Sequence, residues 1–411
     1  MDNIVKKCLL ILYPYYPLWG WLTVTFLHKP VGFFVAILGL PVAMYYLANS
    51  RKQMPKYLVC LMLFTVYSLY SVFANNSMPD NTSPFFFILN DASLLACILF
   101  IILENVEFTE KEMNRLTRGI LWIVGISLVV SVLQMRDTSI FFNPNMEGGL
   151  IGLGEERNSA FSIYSWVALN SVSVTFPALI AILVNFYEPK RLVFYIIFLS
   201  AIIVPFLNKG RAFMIATLVV MSQLVLDSQR ALSKRVTYVF GFVIGIFFLV
   251  AIAGEFGINI QEIIDNRILE KDSDMASAKS RLTSYSVFMK VFPENPVFGV
   301  GPKTQDNVID LLLGEANIIH VGYLAYLYYY GILGCIFIFL ALFFLLKETW
   351  IVGKRSGFWG SFYAFLAFAF GNLTFEYFVF SEMGLVLAVL YMRYYGGPYL
   401  ESLKPTELKV A

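Results

Sequence analysis

The sequence predicts an all-α integral membrane protein with about 12 transmembrane helices and a large helical loop outside the membrane. Three observations predict this class: 58% of the 411 residues are apolar, only 14% are charged, and the apolar residues gather in long runs. Soluble proteins carry about 25% charged residues, so this chain has too few charges to cover a surface in water. The net charge of +2 does not indicate a nucleic-acid partner.

Apolar stretches predict the individual spans, since a helix needs about 20 residues to cross a bilayer. The first stretch follows two lysines, as in a signal sequence, but no small-residue cleavage site comes after it, so we take it as a helix. The seventh and eighth stretches are short and meet at a polar hinge that ends in Arg211. The twelve stretches lie at 8–27, 30–48, 57–74, 84–103, 119–135, 160–186, 192–207, 212–226, 236–253, 319–346, 357–373 and 377–395.

Basic residues predict the orientation of the spans, because short cytoplasmic loops are enriched in Lys and Arg. With a cytoplasmic N-terminus, 19 of the 30 basic residues fall inside and 11 outside, and six of those 11 belong to the long segment 254–318. Long segments cross regardless of charge, so we expect both termini in the cytoplasm. The predicted organisation is nine helices in 1–253, an extracytoplasmic loop at 254–318, three helices in 319–395 and a cytoplasmic tail at 396–411.

Four basic residues lie at or near the exterior ends of predicted spans, where basic residues are normally depleted. They are Arg157, Lys209, Arg211 and Arg281. One interpretation is that they pair with lipid phosphates or with Glu155 and Glu156. The other is a clamp for a diphosphate, since guanidinium groups present a fork that fits phosphate oxygens. The convergence of several such residues on one face favours the clamp.

His320 is one of two histidines and stands where the chain re-enters the membrane after the long exterior segment. A histidine at the start of a helix is often structural. Its imidazole can also act as a general base near neutral pH. His28 has no comparable neighbours, and we interpret it as interfacial.

Two further patterns in the exterior segment are weaker signals. Gly299 and Gly301 permit a tight turn with positive φ, but a lone G-x-G is weak support for phosphate binding. Asp272 and Asp274 have the Asp-x-Asp spacing used with metals and nucleotide sugars, and a solvated acidic turn is the favoured interpretation. The scattered cysteines and the two histidines exclude a Cys/His metal site.

Asp91 is an acidic residue inside the fourth predicted span, which makes it a candidate functional residue. It either offsets one of the arginines or caps a broken helix. Glu376 and Glu382 flank the last exterior turn, and their role is left open with that of Asp91.

Four short motifs follow one another in order between residues 210 and 335. Gly-Arg-Ala at 210–212 opens a span, and Arg281 begins the second helix of the exterior segment, which we predict to run to Phe292 and to stop at Pro293. PENPVFGVG follows at 293–301, and His320 precedes GYLAYLYYYGILG at 322–334. This order and sidedness resemble the O-antigen ligase and Wzy-type O-antigen polymerase superfamily of bacterial envelope enzymes.

The resemblance implies a GT-C-like, metal-independent, inverting glycosyltransferase in the bacterial inner membrane, with its active site on the periplasmic face. The implied donor is a glycan on undecaprenyl diphosphate, and no cofactor is implied. The implied catalytic residues are Arg211, Arg281 and His320, and Arg157 is similar to a further arginine of many polymerases. The family often has Asn after the histidine, whereas Val321 stands here. The predicted substrate-binding residues are Arg157, Lys209, Gly299, Gly301 and Lys303.

Three functions remain open at this stage. A polymerase joins lipid-linked repeat units into O-antigen, capsule or exopolysaccharide, and Arg157 and the missing Asn favour it. A ligase transfers the finished glycan to lipid A core. A flippase for lipid-linked sugars would carry charges deep in several spans, whereas here they gather on the exterior face. The expected partners are the lipid-linked donor, a glycan or lipid acceptor, membrane lipids and a chain-length regulator.

Overall fold

The protein is all-helical throughout the part that the computed structural model describes, which confirms the predicted fold class at that level. The described residues are 2–16, 18–19, 31–50, 53–75, 84–89, 91–134, 169–187, 192–207, 211–226, 232–255, 285–286, 288–301, 321–373 and 383–397. The helices are α1 Asp2–Leu12, α2 Val31–Asn49, α3 Lys56–Ala74, α4 Pro84–Leu89, α5 Ala92–Asn105, α6 Glu110–Gln134, α7 Leu169–Phe186, α8 Leu192–Leu207, α9 Arg211–Met221, α10 Gln223–Leu226, α11 Leu232–Glu255, α12 Gly322–Ser356, α13 Gly360–Gly371 and α14 Met383–Gly396.

Four of the described helices are long and apolar enough to cross a membrane. They contain the candidate spans Gly32–Asn49, Lys56–Ala74, Glu110–Leu133 and Gly322–Ser356. The described residues also form several shorter apolar helices, such as α5 and α13. The protein is therefore a membrane protein with several apolar helices, and the total of twelve spans stays a prediction.

Two helices extend well beyond the apolar stretches that predicted them. α6 begins at Glu110 because Thr109 and Glu112 form a capping box: the Thr109 amide donates to Glu112 Oε2 (2.7 Å), and the Glu112 amide donates to Thr109 Oγ1 (3.4 Å). α12 continues to Ser356 and ends at Gly357, which has the left-handed φ of +77° typical of a helix C-terminus. Apolar runs locate the membrane-crossing part of a helix, whereas capping residues decide where the helix itself ends.

The core lies where α5 and α14 run through the centre of the bundle. Every residue of α14 from Met383 to Met392 is buried, as expected for a helix that is apolar all round. α7, α9 and α13 pack against one another, and the rings of Phe176 and Phe213 meet edge to face at 5.5 Å. α3 packs against α12, and the ring centroids of Phe64 and Tyr330 lie 5.1 Å apart.

A group of polar side chains ties α3, α5 and α14 together at the end of the bundle predicted to be cytoplasmic. Arg393 Nε lies 2.9 Å from Glu104 Oε2, and the Tyr57 hydroxyl donates to Glu104 Oε1 at 2.6 Å. Glu104 is buried, and the arginine and the tyrosine together supply the charge and the hydrogen bond that a buried carboxylate requires. The pairing places the start of α3 beside the ends of α5 and α14, as an alternating up-and-down topology requires.

The helix predicted at 281–292 ends one residue earlier in the structure than the sequence predicts. α-Helical residues end at Val291, and Phe292–Glu294 form a 3-10 turn that contains Pro293. Proline is tolerated there because the first turn of a helix leaves its amides without intrahelical partners. Phe288 and Val291 are buried, and the ring of Phe288 stacks on Phe292 at 4.8 Å.

Candidate functional site

Arg211 is the first residue of α9, which agrees with the predicted arginine at the opening of a span. Two residues later, Phe213 is fully buried against Phe176 of α7. The start of α9 is therefore held firmly against α7. The Arg211 side chain itself lies outside the described part of the protein.

Most of the other predicted site residues lie outside the described residues. Their convergence on one cavity stays a prediction, as do the diphosphate clamp and the general base. They are Arg157, Lys209, Arg281, Lys303 and His320, together with Asp272, Asp274, Glu376 and Glu382.

Asp91 caps a broken helix, which confirms one of its two predicted roles. The fourth predicted span consists of α4 and α5, and Asp91 is the N-cap of α5. Its carboxylate accepts hydrogen bonds from the Leu94 amide (2.8 Å) and the Ser93 hydroxyl (2.5 Å), and it also interacts with the Ser68 hydroxyl. Asp91 thereby satisfies the Leu94 amide at the start of α5, which has no partner within the helix. Such a cap is required inside a membrane because water cannot supply the missing bond there.

α12 is broken at Gly331, which has the non-helical dihedral angles φ +61° and ψ −172°. In an uninterrupted helix, the amides of Ile332 and Leu333 would donate to the carbonyls of Tyr328 and Tyr329. Here the two amides donate instead to the carbonyls of Pro296 (2.9 Å) and Val297 (3.1 Å). The break therefore frees two amides and two carbonyls in the middle of a membrane helix.

The segment 296–301 fills this break, and we call segment and break together the clasp. The amide of Val300 donates to the carbonyl of Tyr328 (3.2 Å), and the amide of Gly301 donates to that of Tyr329 (2.8 Å). Four backbone hydrogen bonds thus replace the two that the helix lost. Irregular backbone is tolerated at membrane depth where other parts of the protein bury it, and the three tyrosines 328–330 are all buried.

Gly299 and Gly301 have φ values of +72° and +79°, which confirms the predicted positive-φ turn. A Cβ atom on Gly299 would lie 2.4 Å from the Tyr329 carbonyl oxygen and 2.5 Å from the Gly331 amide nitrogen. The Gly299 amide donates to the carbonyl of Asn295 at 3.0 Å. The amides of residues 299–301 are therefore all bonded within the protein, and a substrate-binding role for Gly299 and Gly301 stays a prediction.

Two residues of α3 attach the clasp to the rest of the bundle, and sequence reasoning missed both. The Tyr67 hydroxyl donates to the carbonyl of Phe298 at 2.8 Å. The hydroxyl of the next residue, Ser68, donates a hydrogen bond to the Tyr330 hydroxyl at 3.1 Å. Ser68 also interacts with Asp91, so the two helix breaks are joined through one buried serine.

The clasp brings Gly301 close to the start of α12. Gly301 is bonded to Tyr329, which lies eight residues after Val321, the N-cap of α12. At 1.5 Å of rise per residue, Gly301 is displaced by about 12 Å along the helix axis from Val321. These two residues flank the sequence 302–320, which contains Lys303 as its second residue and ends with His320.

The described structure defines a helical membrane protein in which two interrupted helices and the segment 296–301 meet. Residues 195–339 match the model of the family described as O-antigen ligase. The matched region runs from α8 into α12 and includes the start of α9 at Arg211, the segment 296–301 and the break at Gly331. This match confirms the resemblance to the O-antigen ligase and Wzy superfamily over the matched residues. No curated protein matches the chain.

Proposed function

We propose that this protein is a membrane glycosyltransferase that transfers a glycan from a lipid diphosphate carrier to an acceptor hydroxyl. The family match across residues 195–339 is the observation that carries the proposal. The described geometry supports it, because that region holds a helix starting at an arginine and an exterior segment anchored in a broken helix.

The proposed chemistry uses the predicted exterior cations and the histidine. The acceptor oxygen forms a bond to the anomeric carbon from the face opposite the carrier, which inverts that carbon. The bond between the anomeric carbon and the diphosphate oxygen breaks, and the diphosphate keeps the electron pair. Arg211 and Arg281 stabilise the negative charge on this leaving group, and the His320 imidazole takes the hydroxyl proton. Arg157, Lys209 and Lys303 add contacts to the donor.

We propose a GT-C-like arrangement of twelve spans with both termini in the cytoplasm of a bacterium and the reaction on the periplasmic side of the inner membrane. The domain boundaries are those of the sequence, with the loop 254–318 between nine helices and three. The proposed donor lipid is undecaprenyl diphosphate. Cysteine labelling with a membrane-impermeant reagent tests this arrangement, and labelling of positions 281 and 320 from the inner side would contradict it.

The leading form of this activity is a polymerase, which extends lipid-linked repeat units and works with a chain-length regulator. The family description favours a second form, a ligase that delivers the glycan to lipid A core. Purified protein supplied only with lipid-linked repeat units separates the two. Longer lipid-linked chains indicate a polymerase, whereas product that appears only after core is added indicates a ligase.

Point variants test the proposed residue roles in the same assay. We expect Arg281→Ala and His320→Ala to abolish product while the protein still inserts, since loss of one preorganised donor typically costs about 100- to 1,000-fold in rate. Full activity of Arg281→Ala would remove the clamp from the mechanism. EDTA should have no effect, and strong inhibition would instead favour a metal at Asp272 and Asp274.

Transport of lipid-linked sugars is the alternative from another class. Proteoliposomes with a labelled lipid-linked sugar test it directly. Flipping that persists in His320→Ala, together with no glycosyl transfer by the unaltered protein, would replace the transferase by a transporter.

A further inference from the structure

We infer that Tyr67 is a positioning residue for glycosyl transfer, which it supports by holding the clasp formed by residues 296–301 and the break at Gly331. This inference rests on the proposed function.

The first step is that the clasp is held by directional bonds. Its four backbone hydrogen bonds, between 2.8 and 3.2 Å long, use groups that a continuous helix would have paired internally. Because an unpaired backbone group in a membrane costs several kcal/mol, the segment and the broken helix stabilise each other. The clasp therefore has one defined register along α12.

The second step is that α3 fixes the clasp from the side. The Tyr67 hydroxyl bonds to the Phe298 carbonyl, which is the carbonyl between the two pairs of clasp bonds. A Cβ atom on Gly334 would lie 2.6 Å from Tyr67 Cε1, so this helical glycine leaves the space that the tyrosine ring occupies. Tyr67 thus reaches the clasp through a gap in α12 that no larger residue would provide.

The clasp also sets the positions of two residues that border predicted site residues. Gly301 and Val321 flank the sequence that carries Lys303 and His320, and the clasp fixes the spacing of these two flanking residues along α12. A general base must lie within hydrogen-bond reach of the proton that it removes. Lys303, a proposed donor contact, follows Gly301, whereas His320 directly precedes Val321. A small change in the register of Gly301 relative to Val321 therefore keeps the donor contact but misplaces the donor relative to the base, so the rate of transfer falls rather than the affinity for the donor.

Tyr67→Phe tests the inference, because it removes only the hydroxyl and keeps the ring in place. Tyr70→Phe is the matched control: Tyr70 lies one turn away on the same helix and is exposed. Gly331→Ala is unsuitable as the main variant because it threatens folding. The net free energy of one hydrogen bond predicts a kcat for Tyr67→Phe about 3- to 10-fold below that of Tyr70→Phe, with KM for the lipid-linked donor within about two-fold.

Hydrogen exchange at the amides of Val300 and Gly301 gives a readout that does not depend on activity. We expect faster exchange in Tyr67→Phe than in Tyr70→Phe, with a Tm lowered by no more than about 2 °C. An unchanged kcat with faster exchange would overturn the inference, and so would a kcat that falls only in step with Tm. If the unaltered protein transfers no glycan while these amides are protected, the proposed function is wrong and the clasp is purely structural.

Discussion

Among the glycines of α12, Gly331 is the one whose replacement by alanine should destabilise the protein most. The φ of +61° and ψ of −172° belong to a region that is essentially restricted to glycine and costs about 1–3 kcal/mol for other residues. The new Cβ atom would also lie 2.3 Å from the Val297 carbonyl oxygen and 2.6 Å from the Gly299 amide nitrogen. Both contacts are with backbone, which cannot rotate away.

Relief of this clash requires the segment 296–301 to move out of the break. Its four hydrogen bonds would then be lost, each with a net contribution of about 1 kcal/mol. Strain and lost bonds together predict that the free energy of unfolding falls by about 5–7 kcal/mol in Gly331→Ala. The measurement is unfolding in mixed micelles with increasing SDS, followed by tryptophan fluorescence.

Two other glycines separate the causes. Gly357 has a φ of +77°, and among the described residues no atom beyond its chain neighbours lies within 4 Å of the position that an added methyl group would take. Gly357→Ala therefore carries only the conformational cost of about 1–2 kcal/mol. Gly125 is helical and also faces open space, so Gly125→Ala should be neutral or slightly stabilising. A Gly331→Ala variant as stable as Gly357→Ala would show that the clasp does not hold α12, and the reasoning would be refuted.

The remaining predictions concern the Asp91 cap, the buried ion pair and the proposed clamp. Asp91→Ala should lower the free energy of unfolding by about 1 kcal/mol. Asp91→Asn should lower it much less, because asparagine caps helices equally well. Equal losses for the two variants in SDS titration would contradict the capping role. Arg393→Met removes the positive charge beside buried Glu104, and we expect the free energy of unfolding to fall by about 2–3 kcal/mol. This loss should largely disappear when Glu104→Gln is added, and additive losses in a double-mutant cycle would show that the pair is not coupled. Arg211→Lys should not restore full transfer in the lipid-linked assay, since lysine lacks the fork that binds phosphate oxygens; wild-type rates would show that charge alone suffices.

The positions of several helices were predictable from local sequence. α8 at Leu192–Leu207 coincides with the predicted stretch 192–207, and α9 begins at Arg211 next to the predicted hinge. These boundaries are marked by polar residues within apolar sequence. The cap at Asp91 was also foreseeable, because a lone acid between two apolar segments has few other ways to be satisfied in a membrane.

The break in α12 was not predictable in the same way. The stretch 319–346 reads as one apolar run, and Gly331 resembles any other glycine within a membrane helix. Only the distant segment 296–301 makes its conformation necessary, by supplying carbonyls to Ile332 and Leu333 and amides to Tyr328 and Tyr329. A hint was present in the two glycines of PVFGVG, whose positive φ was predicted without the partner that they approach.

Sequence alone determined the membrane class, the helical content and the family resemblance, because apolar runs and short ordered motifs are local properties of the chain. Tertiary structure alone decided that a broken α12 accepts the segment 296–301, and that Tyr67 and Ser68 of α3 hold it. The physical reason is that inside a membrane each freed amide and carbonyl needs a partner from the protein, and that partner is chosen by packing across more than 200 residues of sequence.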